Sequence, residues 1–213
     1  MVCTKKSLLF HSGALFALCF LLIAITRQLI LTPDFFAKSG QALAATPRQG
    51  IFVYASLNKW FYLYEGFYLA AKLSLVTLIL YTALYLCEQH VSYLQLLDQV
   101  VLAEFTFCAG AASKLAYFYL YCPEGTLADW QRIYLGSAIS FFPALPADWS
   151  YAVQSLNVFE VAYWGLLAAG ISRLHKLGFR WSLRLVLCSY LPALLLWIAC
   201  VSFCAVLIFP DHS

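Results

Sequence analysis

Four ionisable side chains lie within long apolar runs: Lys72, Glu104, Lys114 and Glu160. An ionisable side chain is costly in hydrocarbon, so such residues usually face the interior of a helix bundle and mark proton, ion or substrate sites. At about 1.5 Å of rise per residue, Lys72, Lys114 and Glu160 fall within about 6 Å of one another in depth. We therefore predict that Glu160 pairs with Lys114 or Lys72, and that Glu104 reaches the opposite membrane interface.

The run that holds Glu160 carries further polar residues. Gln154, Asn157, Glu160 and Trp164 recur at three- and four-residue spacing, which places them on one face of a helix. The predicted intramembrane polar cluster is Lys72, Lys114, Gln154, Asn157 and Glu160. These residues could form hydrogen bonds between helices, each of which stabilises the bundle by roughly 0.6 to 2 kcal/mol. Alternatively, they could line a path for a proton, an ion or a polar headgroup. The first interpretation is favoured, since one carboxylate and two lysines do not make a relay.

Signatures of catalysis and cofactor binding are sparse. The chain contains no HExxH, GxSxG or phosphate-binding loop. Its eight cysteines include no CxxC pair and are predicted to be small packing residues rather than disulfides or metal ligands. His11 is the one histidine in an apolar run, so a membrane haem is not predicted. Asp129 and Asp148 flank a short apolar segment. They could form a metal or substrate site of a lipid-modifying enzyme, but solvated loop acids are the commoner case and are expected here. We predict no enzymatic activity, no cofactor and no metal.

Composition identifies the solvent in which this chain folds. Hydrophobic residues make up 63% and charged residues 11%, with a mean hydropathy of +0.80. A soluble domain is about half apolar and about a quarter charged. The net charge of +3 includes no basic patch suited to nucleic acid. The sequence therefore predicts one membrane domain over residues 1–213, with the lipid bilayer as its main partner.

Five apolar runs are long enough, or nearly so, for the ~20 residues that a membrane-spanning helix needs. They cover about 8–26, 67–87, 100–121, 151–172 and 185–209. Because every backbone amide in lipid must be bonded internally, the predicted fold class is all-α, a polytopic transmembrane helical bundle. The first run is predicted to be a retained span rather than a cleaved signal peptide.

Two shorter segments are predicted to lie at the membrane interface, at about 33–64 and 133–143. Thr32 and Pro33 have the residue types of an N-cap and a first helical position, so a short helix is expected after them. The 11 residues of 133–143 are too few for a span, and a short interfacial or re-entrant helix is predicted there.

Loop charges set the predicted orientation. The segment from Arg173 to Arg184 carries four basic residues and no acid, so it is predicted to be cytoplasmic. With five spans, the N-terminus is then inside and the C-terminus outside. The first loop argues against this, because it would lie outside while carrying four Lys and Arg residues. If 133–143 were a sixth span, the N-terminus would lie outside instead.

From about Leu115 onward the chain resembles the Yip1-like superfamily of five-span membrane proteins, especially its bacterial members. The resemblance is carried by the segment Ser155-Leu-Asn-Val-Phe-Glu-Val-Ala-Tyr-Trp-Gly-Leu-Leu-Ala-Ala-Gly170, the short basic loop after it and the final span. It implies five spans with the N-terminus inside and the C-terminus outside, and it implies little chemistry. Eukaryotic relatives resemble membrane-trafficking scaffolds that bind small GTPases.

The expected function is therefore a non-enzymatic scaffold or accessory subunit in a bacterial inner membrane. Its expected partners are other membrane proteins or further copies of the chain. The alternative is a small permease or channel subunit with a polar path along the fourth span.

Overall fold

The computed structural model describes residues 2–32, 35, 47–122, 125–133, 135–137, 153–175 and 177–208. The regular structure of these residues is helical, and no β-strand occurs among them. Six helices have both ends in this part of the chain: α1 Val2–Leu29, α2 Pro47–Leu86, α3 Tyr93–Tyr121, α4 Leu127–Arg132, α5 Val158–His175 and α6 Phe179–Ile208.

Four helices are long and apolar enough to cross a membrane, within Lys5–Leu29, Trp60–Leu86, Tyr93–Tyr121 and Phe179–Cys204. They correspond to four of the five predicted runs, so the prediction of an all-helical fold with several helices that could span a membrane is confirmed for the described residues. α5, which holds the fourth run, is only 18 residues long. It also contains Glu160, Arg173 and His175, which lower its hydropathy.

The helices α2, α3, α5 and α6 form a ring in which each contacts the next. α1 packs against α3 on the outside of this ring. The connections 87–92 and 176–178 are too short to cross the bundle, so α2 and α3 form one antiparallel pair and α5 and α6 form another. α1 runs parallel to α3, because His11 contacts Asp98 and Cys19 contacts Cys108.

α5 runs antiparallel to α3. Gly110 lies against the ring of Phe159, and Gly170 lies against Gln99. One end of the bundle, here called the amino end, therefore holds the start of α1 and the two short connections. The other, the carboxyl end, holds the ends of α1, α3 and α6. Successive long helices thus alternate in direction.

Apolar side chains fill the ring near the amino end. These residues are at most 1% exposed and come from all four helices of the ring: Leu80, Leu84, Leu96, Val100, Leu167, Ile171 and Val186. We call this set the apolar plug. Protein interiors are packed as densely as organic crystals, so the plug closes the centre of the ring at this level.

The segment predicted to be interfacial at 33–64 differs in the structure. Its second part belongs to α2, a single helix of 40 residues and about 60 Å in length, twice the thickness of the hydrocarbon core. Pro47 opens this helix at a position where its missing N–H is harmless. The predicted N-cap is supported, since Thr32 Oγ1 accepts a hydrogen bond from the Phe35 N–H at 3.3 Å. Residues 33–34 and 36–46 lie outside the described residues.

The prediction of a helix over 133–143 is wrong at the start of that segment, where residues 133 and 135–137 are not helical. The short helix lies earlier, at α4, where Thr126 and Asp129 form a capping box. The chain then turns at Gly136, whose φ of +68° suits glycine, and Ser137 forms an isolated bridge with Asn157. Residues 138–152 lie outside the described part of the chain, and Asp148 with them.

The predicted basic loop at 173–184 is much shorter than expected. Arg173 lies in α5, and Arg180 and Arg184 lie in α6, so only residues 176–178 connect the helices. The charge pattern was interpreted as a loop, whereas three of its four basic residues lie within helices. These basic residues still gather at the amino end, which also holds Lys5.

Candidate functional site

Lys72 on α2 and Glu104 on α3 form a buried ion pair. Lys72 Nζ lies 2.5 Å from Glu104 Oε1, and the two side chains are 25% and 5% exposed. Lys72 Nζ also lies 4.0 Å from the centre of the Phe107 ring, a cation–π distance. Glu104 is therefore buried against Lys72 inside the bundle, and the partner of Lys72 is Glu104 rather than Glu160.

The antiparallel turn explains why this pair forms. Lys72 lies 14 residues before the end of α2 at Leu86, and Glu104 lies 11 residues after the start of α3 at Tyr93. A difference of three residues amounts to about 4.5 Å along the helix axes, within reach of two long side chains. The sequence prediction counted the depth of Lys72 from the start of its apolar run at residue 67. The helix α2 begins much earlier, at Pro47, so that count did not give the position of Lys72 relative to α3.

Glu160 binds neutral donors. Its Oε1 accepts hydrogen bonds from the Tyr190 hydroxyl and from Trp164 Nε1, both at 2.9 Å. Its backbone N–H donates to Asn157 Oδ1 at 2.8 Å, an N-cap bond at the start of α5. The positive end of the helix dipole also favours a carboxylate here. Glu160 is 6% exposed, and the ion pair predicted for it with Lys72 or Lys114 is replaced by these bonds.

The predicted polar stripe on one helical face is interrupted. α5 begins at Val158, so Asn157 is its cap and Gln154 precedes the helix. The Gln154 carbonyl accepts hydrogen bonds from Asn157 Nδ2 at 3.3 Å and from Ser137 Oγ at 3.4 Å. The predicted continuous helix is interrupted here because the Asn157 side chain caps the start of α5, where it accepts a hydrogen bond from a free backbone N–H.

Lys114 lies apart from Lys72 and Glu160, and Asn157 is the cluster residue with which it shares a cavity. Its Nζ is 4.6 Å from the ring centre of Trp130 on α4. It lines a cavity of about 180 Å³ together with Asn157 and Ser137, between α3 and the start of α5. The structure therefore brings Lys72, Asn157 and Glu160 together and places Lys114 at a second, smaller cavity.

A cleft of about 400 Å³ lies between α2 and α6. Polar groups of Lys72, Asn157, Glu160 and Tyr190 line it, and the rest of the wall is mostly apolar or aromatic. The rim residues Tyr68, Leu75 and Trp197 are 40%, 52% and 49% exposed, so the cleft opens sideways through the outer surface of the bundle. Its volume lies within the range of about 300 to 1,000 Å³ found for ligand pockets. We call it the α2–α6 cleft.

Two buried polar atoms beside the cleft were missed by sequence reasoning. In the described part of the chain, neither Glu104 Oε2 nor the Tyr163 hydroxyl has a hydrogen-bond partner. Tyr163 is fully buried and lies close enough to Glu104 for that charge to act on its phenol. Buried polar groups without partners are uncommon. Each of these two atoms therefore has unused hydrogen-bonding capacity.

A second polar cluster joins α1 to α3 near the amino end. His11 Nδ1 lies 2.9 Å from Asp98 Oδ1 and 3.3 Å from Ser7 Oγ, and Ser7 Oγ donates to Asp98 Oδ2 at 3.3 Å. A hydrolytic triad needs the serine and the carboxylate on opposite ring nitrogens. Here both contact Nδ1, so the arrangement ties two helices together. Sequence reasoning missed it because Asp98 was assigned to a loop, whereas α3 begins at Tyr93.

Seven cysteines are free among the described residues, and four of these are exposed. The same residues contain no group of three or more side chains suited to hold a metal ion.

Comparison of the chain with protein-family models, curated protein sequences and solved structures finds no match. The resemblance to the Yip1-like superfamily therefore stays a prediction from the sequence.

Proposed function

We propose that this chain is a five-span integral membrane protein that serves as a non-enzymatic scaffold or accessory subunit in a bacterial inner membrane. α5 is the additional span. Its 18 residues give about 27 Å of helix, close to the ~30 Å hydrocarbon core. It lies in the ring between α3 and α6, both of which are long and apolar enough to cross a membrane.

The distribution of basic residues supports an orientation with the amino end in the cytoplasm. Lys5, Arg173, Arg180 and Arg184 lie at that end of the bundle. Cytoplasmic ends of spans are enriched in Lys and Arg. The alternating helix directions then place the N-terminus inside and the C-terminus outside.

Two natural cysteines can test this topology. Cys87 lies just after α2 at the amino end, and Cys122 lies just after α3 at the carboxyl end. In single-cysteine variants, a membrane-impermeant maleimide added outside intact cells should label Cys122 and spare Cys87. Six spans, with 133–143 crossing the membrane, would reverse this pattern.

The observation that carries the scaffold proposal is the apolar plug. A path along α5 would continue from Glu160 past Tyr163, Leu167 and Ile171, which are at most 1% exposed. Above the plug, Lys72 binds Glu104 and Glu160 binds neutral donors, so these polar groups join helices to one another. A bundle closed in this way is better suited to binding partner proteins than to conducting solutes.

Copurification tests the proposed role. The tagged full chain, extracted in a mild non-ionic detergent, is expected to retain a stoichiometric membrane-protein partner that mass spectrometry identifies. Purified protein in liposomes is expected to give no solute flux above that of empty liposomes. Flux that Glu160→Gln abolishes, while the variant still elutes as a single species, would refute the scaffold proposal and establish the permease alternative.

A further inference from the structure

The charges at the α2–α6 cleft do not balance. Lys72 and Glu160 line the cleft and Glu104 binds Lys72, so one basic and two acidic side chains meet here. The Lys72 ammonium is bound to Glu104, and among the described residues no basic side chain forms an ion pair with Glu160. A buried charge is costly unless it is paired, and the hydrogen bonds to Glu160 come from neutral groups, Tyr190 and Trp164.

The unpaired carboxylate faces a space that could hold its counterion. Both side-chain hydrogen bonds to Glu160 fall on Oε1. Among the described residues, no donor binds Oε2, and Glu160 lines the cleft. Tyr68, Tyr190 and Trp197 also line it, and aromatic faces attract organic cations. A carboxylate among aromatic rings is a suitable environment for an ammonium group.

We propose that the α2–α6 cleft binds an amphipathic molecule that carries an ammonium group, with this group against Glu160 and the apolar part of the molecule between α2 and α6. Leu75, Val76, Leu194 and Ile198 supply the apolar walls. A ligand with a net negative charge does not fit, because Lys72, the one basic side chain among the described residues that line the cleft, is bound to Glu104. This inference goes beyond the scaffold role and does not depend on it.

The position of the opening indicates the route by which the ligand enters. The exposed rim residues Tyr68, Leu75 and Trp197 lie within helices that are apolar enough to span the membrane. The ligand would therefore enter sideways from the bilayer. Two sources supply this chemistry: the headgroup of an aminophospholipid with part of its acyl chain, or a hydrophobic amine dissolved in the membrane.

Binding of a permanent cation tests the site directly. The full chain in phosphatidylglycerol nanodiscs is titrated with decyltrimethylammonium by calorimetry, with empty nanodiscs as the blank. Saturable binding is expected, with decyl glucoside and decyl sulfate failing to compete. Glu160→Gln keeps an acceptor oxygen for Tyr190 and removes the charge, and it should weaken binding on the order of ten-fold. Glu65→Gln removes a carboxylate of α2 that does not line the cleft, and it should change affinity by less than about two-fold.

A second variant keeps the test decisive if Glu160→Gln does not fold. Ala193→Phe fills the cleft from α6 without changing its charge, and it should abolish binding. The proposal is overturned if the wild-type chain shows no saturable binding, or if folded Glu160→Gln or Ala193→Phe binds as tightly as wild type.

A second titration, in nanodiscs that also contain phosphatidylethanolamine, distinguishes the two sources of the ammonium group. Competition between phosphatidylethanolamine and the probe identifies a lipid headgroup as the ligand. Absence of competition excludes that headgroup and leaves a membrane-dissolved amine as the source. Because both titrations use the purified chain, they are unaffected by whether a protein partner is found.

Discussion

The ion pair between Lys72 and Glu104 gives the sharpest test of this bundle. Lys72→Met keeps the apolar stem and removes the ammonium, which leaves Glu104 with a buried charge and no counterion. Removing one partner of a buried pair typically costs about 3 to 5 kcal/mol of unfolding free energy. The partial exposure of Lys72, 25%, places the expected loss near the lower limit, at about 3 kcal/mol. About 0.5 to 1 kcal/mol of this comes from the cation–π contact with Phe107.

The double variant distinguishes the interaction energy of the ion pair from the cost of burying each charge alone. Lys72→Met combined with Glu104→Met replaces the ion pair by two apolar side chains of similar length. Such replacements are often neutral or stabilising, by about 1 to 4 kcal/mol. We therefore expect the double variant to recover most of the loss, with a coupling energy of about 2 kcal/mol or more.

Reversible unfolding provides the measurement. Protein in mild non-ionic micelles is titrated with dodecyl sulfate, and the helical circular dichroism signal is followed. The control cycle combines Glu104→Met with Lys114→Met. These residues are ten positions apart on α3, about 15 Å along the axis, so their effects should add within about 0.5 kcal/mol. If the Lys72 and Glu104 effects add as well, the buried pair does not exist in the folded protein.

Two further pairs of substitutions test other parts of the fold in the same assay. A Cβ at Gly136 would lie 2.6 Å from Val158 at a φ of +68°, so Gly136→Ala should cost at least about 1 kcal/mol. A Cβ at Gly13 would meet nothing within 4 Å, so Gly13→Ala should be neutral or stabilise α1 by up to about 1 kcal/mol. Equal losses of unfolding free energy in the two glycine variants would refute the turn at 135–137. His11→Ala leaves the buried Asp98 carboxylate short of a partner and should cost about 1 to 3 kcal/mol. Adding Asp98→Ala should then cost little more, and additive losses would contradict the contact between α1 and α3.

The fold class followed from composition because lipid permits few alternatives. A chain that is 63% hydrophobic must satisfy its backbone internally, and α-helices do so within each segment. The ends of the helices could not be read in the same way. Hydropathy marks the length of helix inside hydrocarbon, whereas α1 and α3 begin earlier than their runs, and α2 begins 20 residues before its run at residue 67.

The candidate site was predicted only in part, for a related reason. Lys72 and Glu160 were recognised as interior residues because charge in lipid is costly, and the structure places both at the α2–α6 cleft. Their partners depend on how the helices align. Alignment is set by the short connections 87–92 and 176–178, which bring Glu104 to Lys72 and Tyr190 to Glu160. Periodicity along one helix contains no such information.

The two buried carboxylates should consequently respond differently to loss of charge. Glu104→Gln leaves the Lys72 ammonium without a counterion, so we expect it to cost about 2 to 3 kcal/mol of unfolding free energy. Glu160→Gln keeps a side-chain oxygen for Tyr190 and Trp164, whose hydrogen bonds come from neutral donors. We expect it to cost less than about 1 kcal/mol, as measured by unfolding in the absence of added cation. A carboxylate whose charge does not stabilise the fold remains available to bind a ligand. If Glu160→Gln is instead as damaging as Glu104→Gln, the charge of Glu160 belongs to the structure.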